Sequence, residues 1–431
     1  MIHTMIAPRR LRGIIDLPGD KSISHRAVLL NAIATGAAEV ANFLTGADCL
    51  STIACVQALG VRVERHEDTV RVFGAGLRSL REPVDVLDCG NSGTTLRLLT
   101  GMLAGQEGIF AVLTGDASLR SRPQQRIVAP LRALGATLDG RDRGNRAPLV
   151  VRGAYLHGGA YDLPIASAQV KSALLLAALF GDGPLTLTGR TDGRDHTERM
   201  LAAMGATITV DGRTIRLTPP DRPEALHPLS LRVPGDPSSA TFWWVAAAIH
   251  PDAELTTTGV CLNPTRTGAL DALRAMGAQI EVANQRVEGG EPVGDVTVRS
   301  SSLHGIVIEG ALIPRLIDEL PVLALAAACA EGETIIRDAQ ELRVKETDRI
   351  ATVVAGLTAL GAVVEPTEDG MIIAGGGNLR GATLESHGDH RLAMTWAIAG
   401  LVGAGETMLH GAEAVEVSYP EFWHVLRRIR E

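Results

Sequence analysis

One motif, Ala-(Leu/Met)-Gly-(Ala/Val), is written five times along the chain and commits it to a repeating architecture. Its glycines, Gly60, Gly135, Gly205, Gly277 and Gly361, lie 75, 70, 72 and 84 residues apart. In each copy the Gly suits the left-handed position that closes a helix, and the Val/Ile/Thr alternation after it has strand period. A second pattern recurs six times, from His25, Thr94, Val170, Ser239, Leu320 and His390: a helix of small and aliphatic residues, a Gly or acidic turn, then a short alternating strand. Units of this size exceed those of a solenoid, and six of them predict a closed or stacked α/β arrangement. The sixth copy lacks the helix-end motif. A helix is predicted over Pro420–Arg430, and the missing strand is expected from Arg10–Leu17.

The chain also echoes itself at half length. Pro18-Gly19-Asp20 and Pro234-Gly235-Asp236 stand 216 residues apart in a chain of 431, each after a short alternating strand and before an apolar helix. Three repeats lie between the two turns and three after the second. The expected layout is two similar domains, 20–230 and 1–19 with 231–431, with crossover turns near 18–20 and 230–236. A cleft between such domains is the default place for a ligand.

Composition narrows the ligand. A net charge of -8 gives no general attraction to nucleic acid or an anionic membrane surface. Binding of small anions must then come from local Arg and Lys clusters. Cys49, Cys55, Cys89, Cys261 and Cys329 form no CxxC pair and have no His at ligand spacing, which reads as packing in a reducing compartment. The longest apolar run, Leu320–Ala330, is too short for a bilayer, which needs ~20 residues. The N-terminus lacks the apolar stretch of a signal peptide. A cytoplasmic protein is expected.

The charged and hydrogen-bonding residues collect where the repeated helices begin. LPGDKSISHR places Lys21, Ser22 and Arg26 at the start of an amphipathic helix, Ser22 and Arg26 on one face. CGNSGTTLR puts Gly93 in a backbone cradle before a helix, and DASLRSRPQQR gathers Arg120, Arg122 and Arg126. IASAQVKSALLLA opens with Ser167 and Gln169. LIDELP sets Asp318 ahead of an apolar helix, and HGDHR sets Arg391 at the start of the sixth. ELRVKETDRI reads as a helix on which Lys345 and Arg349 are four apart and Glu346 is one turn from Arg349. Ordinary capping or a solvated charged face accounts for each stretch taken singly. Together they predict an anion-attracting focus for a substrate with several phosphates and carboxylates.

In order and over nearly the whole chain, LPGDKSISHRA, GNSGTTLR, SRP, SAQVKSALLLA, LRVKETDRI and GDHRLAM resemble the 5-enolpyruvylshikimate-3-phosphate synthase family. The resemblance implies two domains, each of three βαβαββ units, the inside-out α/β barrel of enolpyruvyl transferases. It implies transfer of the enolpyruvyl group of phosphoenolpyruvate to the 5-hydroxyl of shikimate 3-phosphate with release of phosphate, toward chorismate and the aromatic amino acids. It implies no cofactor and no metal, no nucleic-acid or membrane partner, and a monomer. By the same resemblance Lys21 touches both substrates. Ser22, Arg26, Ser167, Ala168, Gln169, Arg194, Asp318 and Lys345 fall to shikimate 3-phosphate. Gly93, Arg122, Gln169, Arg349 and Arg391 fall to phosphoenolpyruvate. Asp318, Glu346 and Lys21 carry the catalysis, Asp318 facing the 5-hydroxyl.

The chain departs from the family at three places. Ala168 stands where some members have a second Ser, Glu341 where many have Asn, and Val417 near a position where some have Lys. The related enolpyruvyl transferases that act on UDP-N-acetylglucosamine differ at points that matter. They have Asn after the equivalent of Lys21 and a Cys in the loop matching Asp116–Arg126; here Ser22 follows, and the loop has no Cys. A non-catalytic anion-binding scaffold would have no use for Asp318 and Glu346 among the cations.

Overall fold

The computed structural model describes residues 1–222 and 226–430. The chain divides into two compact units. One comprises Met1–Pro18, Pro234–Val287 and Pro292–Glu431, the other Gly19–Val233 and Glu288–Glu291. One division of the main chain falls inside the first Pro-Gly-Asp turn and the other immediately before the second. The short segment Glu288–Glu291 gave no signal in the repeat spacing.

Among the described residues each unit contains three small sheets, and one repeat shows how the four-stranded ones are made. Strand Leu87–Asp88 leads to helix Gly93–Ala104, strand Phe110–Thr114, helix Gln125–Ala133 and the hairpin Thr137–Arg141 with Arg146–Arg152. The first two strands pair in parallel, and the last strand pairs antiparallel with both the second and the third. The Gly that ends the second helix is what lets the chain reverse into the hairpin. All five motif glycines sit at φ between +89° and +97°, where a side chain would be strained.

The turns explain why the first strand of a repeat is displaced in sequence. Leu231–Arg232 pairs in parallel with Thr35–Ala41, in the unit that begins at Gly19. Leu11–Asp16 pairs in parallel with Ala253–Cys261, in the other. Each unit thus takes its first strand from the chain that precedes the opposite turn. The turn sequence itself is fixed by contact. A Cβ on Gly19 would lie 1.9 Å from the Asn42 carbonyl oxygen, and one on Gly235 2.9 Å from the Leu17 side chain. Asp20 and Asp236 then cap the following helices, accepting from the backbone N–H of Ile23 at 2.9 Å and Ser238 at 2.8 Å.

The sixth sheet departs from expectation. The strand that completes it is Ile2–Ile6, antiparallel to Glu406–His410, whose other edge pairs with Thr383–Glu385. Arg10–Leu17 does not fill that place, because Pro8 breaks the N-terminal segment and the strand after it joins Ala253–Cys261.

The repeated apolar helices form the core of each unit. Pro237–Ile249, Leu320–Cys329 and His390–Ala399 pack against one another, with Trp243, Trp244 and Trp396 fully buried among them. In the other unit Gly93–Ala104 lies against Ala168–Ala178 so closely that a Cβ on Gly101 would fall 2.2 Å from the Ala173 carbonyl oxygen. The many small residues therefore serve close helix packing. The helix after Asp20 is not amphipathic as its sequence suggested. Only Lys21 and Ser22 of Lys21–Ala32 escape burial. A helix buried along its length exposes its chemistry only at the N-terminal end, and that is where Lys21 and Ser22 stand.

Candidate active site

In the unit beginning at Gly19, Asp20 caps the helix that opens with Lys21, whose ammonium is 3.1 Å from the Asp48 carboxylate. Asp48 carried no motif and could not have been found in the sequence. One turn on, the buried Arg26 bonds the Ser22 carbonyl at 2.9 Å, Thr197 Oγ1 at 2.7 Å and Ser172 Oγ at 2.7 Å. Burial lowers the guanidinium to about 10, with Glu198 and Asp20 opposing that shift. Arg194 reaches Ser22 Oγ at 3.4 Å. Lys21, Ser22, Arg26 and Arg194 are therefore one cluster.

A second group surrounds the start of helix Gly93–Ala104. Ser92 caps it, accepting from the Thr95 N–H. A Cβ on Gly93 would lie 2.8 Å from an Arg97 nitrogen and 3.7 Å from Arg122, so only Gly keeps this corner open. The half-buried Arg122 is aimed by Asn91 Oδ1 at 2.6 Å and Ser118 Oγ at 3.1 Å, and its Nε is buried without a hydrogen bond. Gln169 accepts from Arg97 at 2.5 Å and donates to Thr94 Oγ1 at 3.0 Å. Arg97 lay within a quoted motif, yet only the fold reveals that it orients Gln169. Ser167 caps the helix that starts at Ala168.

His25 sits under this surface, fully buried, its Nδ1 sharing a hydrogen bond with Thr52 Oγ1 at 2.6 Å. Burial, aided by the charges of Lys21 and Arg26 and opposed by Asp48, pushes it down to about 3, so the folded protein holds a neutral imidazole. The unfolded chain binds this proton near pH 6.5. Its stabilising effect is therefore complete above pH 6.5 and is lost as pH falls below it, by about 1.4 kcal/mol per pH unit. Urea unfolding at pH 7.5 and 5.5 is expected to show that loss in the wild type and a shallower one in His25→Gln. Equal slopes would contradict it.

Among the described residues, Asp195, His196 and Glu291 are close enough to hold a metal ion. They do not fit one. His196 Nδ1 is bonded to Glu291 at 2.7 Å, and Arg199 already supplies the positive charge, 2.8 Å from Asp195 and 3.9 Å from Glu291.

The other unit carries the acids. Asp318 lies just before helix Leu320–Cys329, its Oδ1 3.3 Å from Lys345 Nζ and 3.6 Å from Arg349. The stretch around Lys345 is not the continuous helix read from the sequence. A 3₁₀ turn, Gln340–Val344, ends before Lys345, and the helix begins at Arg349 with Asp348 as its cap. Capping by Asp348 fixes that start and frees Lys345–Thr347 to turn toward Asp318. Glu346 bonds Arg349 at 2.7 Å, and Glu341 stands 3.6 Å from Lys345. Arg349 is 1% exposed and forks onto the buried Asp389 at 2.8 and 3.1 Å. Burial works against its charge, but Asp389, Glu346 and Asp318 outweigh that and raise its pKa. Asp389 also caps the helix bearing Arg391, accepting from the Arg391 N–H at 2.9 Å, while the Arg391 guanidinium is 3.8 Å from Glu319. Lys345, Asp318, Arg349 and Glu346 are thus linked in a chain of ion pairs, and Asp389 ties Arg391 to them. Asp389 was visible in HGDHR but had no assigned part.

Each unit thus presents cations that can bind an anion, and the unit bearing Lys345 and Arg349 adds carboxylates, Asp318, Glu341 and Glu346, that can move protons. Comparison with known proteins agrees. Residues 6–426 match the family EPSP synthase (3-phosphoshikimate 1-carboxyvinyltransferase). A protein of Roseiflexus castenholzii named 3-phosphoshikimate 1-carboxyvinyltransferase is 98% identical over 431 residues, all of both chains. One of the same name from Chloroflexus aurantiacus is 69% identical over 99% of each. The solved EPSP synthase of Acinetobacter baumannii superposes with a TM-score of 0.89 at 42% identity, covering 100% of this chain and 98% of its own. The enolpyruvyl transferase NikO from Streptomyces tendae, at 19% identity and a TM-score of 0.80 over 99% and 97% of the chains, shares the fold.

Proposed function

The chain belongs to the EPSP synthase family, and on that premise we propose how its residues divide the reaction. The enzyme transfers the enolpyruvyl group of phosphoenolpyruvate to shikimate 3-phosphate in the shikimate pathway and releases phosphate. Bond formation joins the 5-hydroxyl oxygen to C2 of phosphoenolpyruvate, with the hydroxyl proton leaving and a proton arriving at the methylene carbon. Loss of phosphate and of one proton from the new methyl group then restores the double bond. Asp318 takes the hydroxyl proton, and Glu346 with Lys21 serves the proton transfers at carbon. Arg122, Arg349 and Arg391, with Gly93 and Gln169, hold phosphoenolpyruvate and the charge that grows on the departing phosphate. Ser22, Arg26, Ser167, Ala168, Gln169, Arg194 and Lys345 hold shikimate 3-phosphate.

The observation that carries this reading is the pairing of Asp318 with Lys345 and Arg349 and of Glu346 with Arg349. Such acids weaken simple anion capture, and proton transfer gives them a purpose. The two units are proposed as the two three-repeat domains, and the protein as a cytoplasmic monomer. Among the described residues no helix is long and apolar enough to cross a membrane. Phosphate release from phosphoenolpyruvate is expected with shikimate 3-phosphate and not with UDP-N-acetylglucosamine. Absence of release with the first acceptor would overturn the reading.

A further inference from the structure

One buried ion pair has no place in the reaction as assigned. Lys171 is 1% exposed, in the first turn of helix Ala168–Ala178, and Glu198 is 4% exposed, in helix His196–Ala203. Their charged groups are 2.6 Å apart. Lys171 spends its remaining hydrogen bonds on two carbonyls of one loop, Thr191 at 3.0 Å and Gly193 at 2.9 Å. Its three donors are thereby all used, and all on residues 191–198. Beside it runs a second clasp between the same two helices. Ser172 and Thr197 share a hydrogen bond at 2.7 Å, and Arg26 donates to both.

The loop held this way ends in Arg194. On its other side Thr191 Oγ1 donates to the Arg213 carbonyl at 3.0 Å. Gly193 is pressed against the start of helix Ala168–Ala178, where a Cβ would fall 2.9 Å from the Ala168 nitrogen. Arg194 is thereby delivered to Ser22, and its loop lies against Ser167 and Ala168. A pair of well-packed apolar residues would fill the site of Lys171 and Glu198 with equal or greater stability, since desolvating two charges offsets much of their attraction. What apolar residues cannot do is bind two loop carbonyls.

We propose that Lys171, held in register by Glu198, is a positioning residue that fixes the Thr191–Gly193 loop and so aims Arg194 at the phosphate of shikimate 3-phosphate. The proposal rests on the assignment of Arg194 made above. The double variant Lys171→Met with Glu198→Gln removes both charges of the pair together; the buried Arg26 then keeps the charge of Asp20 and loses that of Glu198, which Gly193→Ala leaves in place. Amide hydrogen exchange across residues 191–194 is expected to quicken by about tenfold or more, with the core of helix Ala168–Ala178 unchanged. The KM for shikimate 3-phosphate is expected to rise by about tenfold while kcat and the KM for phosphoenolpyruvate stay within about threefold. Gly193→Ala, which pushes the loop from the opposite side, is expected to give the same split and serves if the double variant fails to fold. Unchanged loop exchange overturns the proposal, and so does a looser loop with an unaltered KM for shikimate 3-phosphate. Failure of the wild type to bind shikimate 3-phosphate in calorimetry overturns the functional reading instead, while exchange still reports whether the pair holds the loop.

Discussion

Asp318→Asn is expected to lower kcat about 10³-fold, within the range of a lost general base, while leaving the affinity for phosphoenolpyruvate equal or tighter. The two halves of that expectation have one cause. The Asp318 carboxylate stands 3.3 Å from the Lys345 ammonium and 3.6 Å from the Arg349 guanidinium, so it neutralises cations that otherwise face an anion. The amide keeps the shape and removes the charge. If Asp318 served only to fix Lys345, its loss would raise KM and spare kcat. Steady-state kinetics with each substrate varied in turn separates the cases, and a change confined to KM would remove Asp318 from catalysis.

How far the sequence could carry such an assignment is clear from the residues it did and did not reach. The repeats were legible because helix ends and hairpins are local: a Gly at positive φ and an alternating strand leave their mark within ten residues. The helix starts were legible for the same reason, since Asp20, Ser92, Ser167 and Asp389 cap the helices beside the candidate residues. What escaped was pairing at a distance. Ile2–Ile6 and Leu11–Asp16 are both plausible strands, and nothing near them says which joins which sheet. Lys345 and Arg349 have helical spacing, but the competing cap at Asp348 breaks the helix between them. Asp48, Arg97 and Lys171 gain their meaning from partners 27, 72 and 27 residues away. A single sequence records the charge of such residues and not its destination.

Asp389 holds two of the cations of the acid-bearing unit, pairing with Arg349 and capping the helix of Arg391. It is fully buried, and so is Arg349; each is the other's main counterion. Removing one member of a buried pair costs about 3–5 kcal/mol when the other is left uncompensated, and with Glu346 and Asp318 still beside Arg349 the loss is expected at about the lower end of that range. Asp389→Ala is expected to lose that and the helix cap as well, about another 1 kcal/mol. Asp389→Asn keeps a capping oxygen and is expected to fall between Ala and wild type. Urea unfolding at pH 7 should give midpoints in the order Asp, Asn, Ala with unchanged slopes. Equal midpoints for Asn and wild type would mean that the charge contributes nothing.

The pH dependence separates this pair from His25. Burial alone would raise the Asp389 carboxyl, but Arg349 prevails and holds it below the usual carboxylate range. Its stabilising effect is therefore complete above the unfolded value of about 3.9 and is lost only as pH falls through the lower folded value. Between pH 7.5 and 5.5 the Asp389 variants should lie parallel to the wild type, displaced by a constant, whereas His25→Gln should converge on it as pH falls. Asp389 accepts two hydrogen bonds from Arg349 and caps the helix that bears Arg391. Loss of the carboxylate is thus expected to raise the KM for phosphoenolpyruvate even in the Asn variant that stays folded. A folded Asn variant with wild-type KM would show that the cluster needs the cap and not the charge.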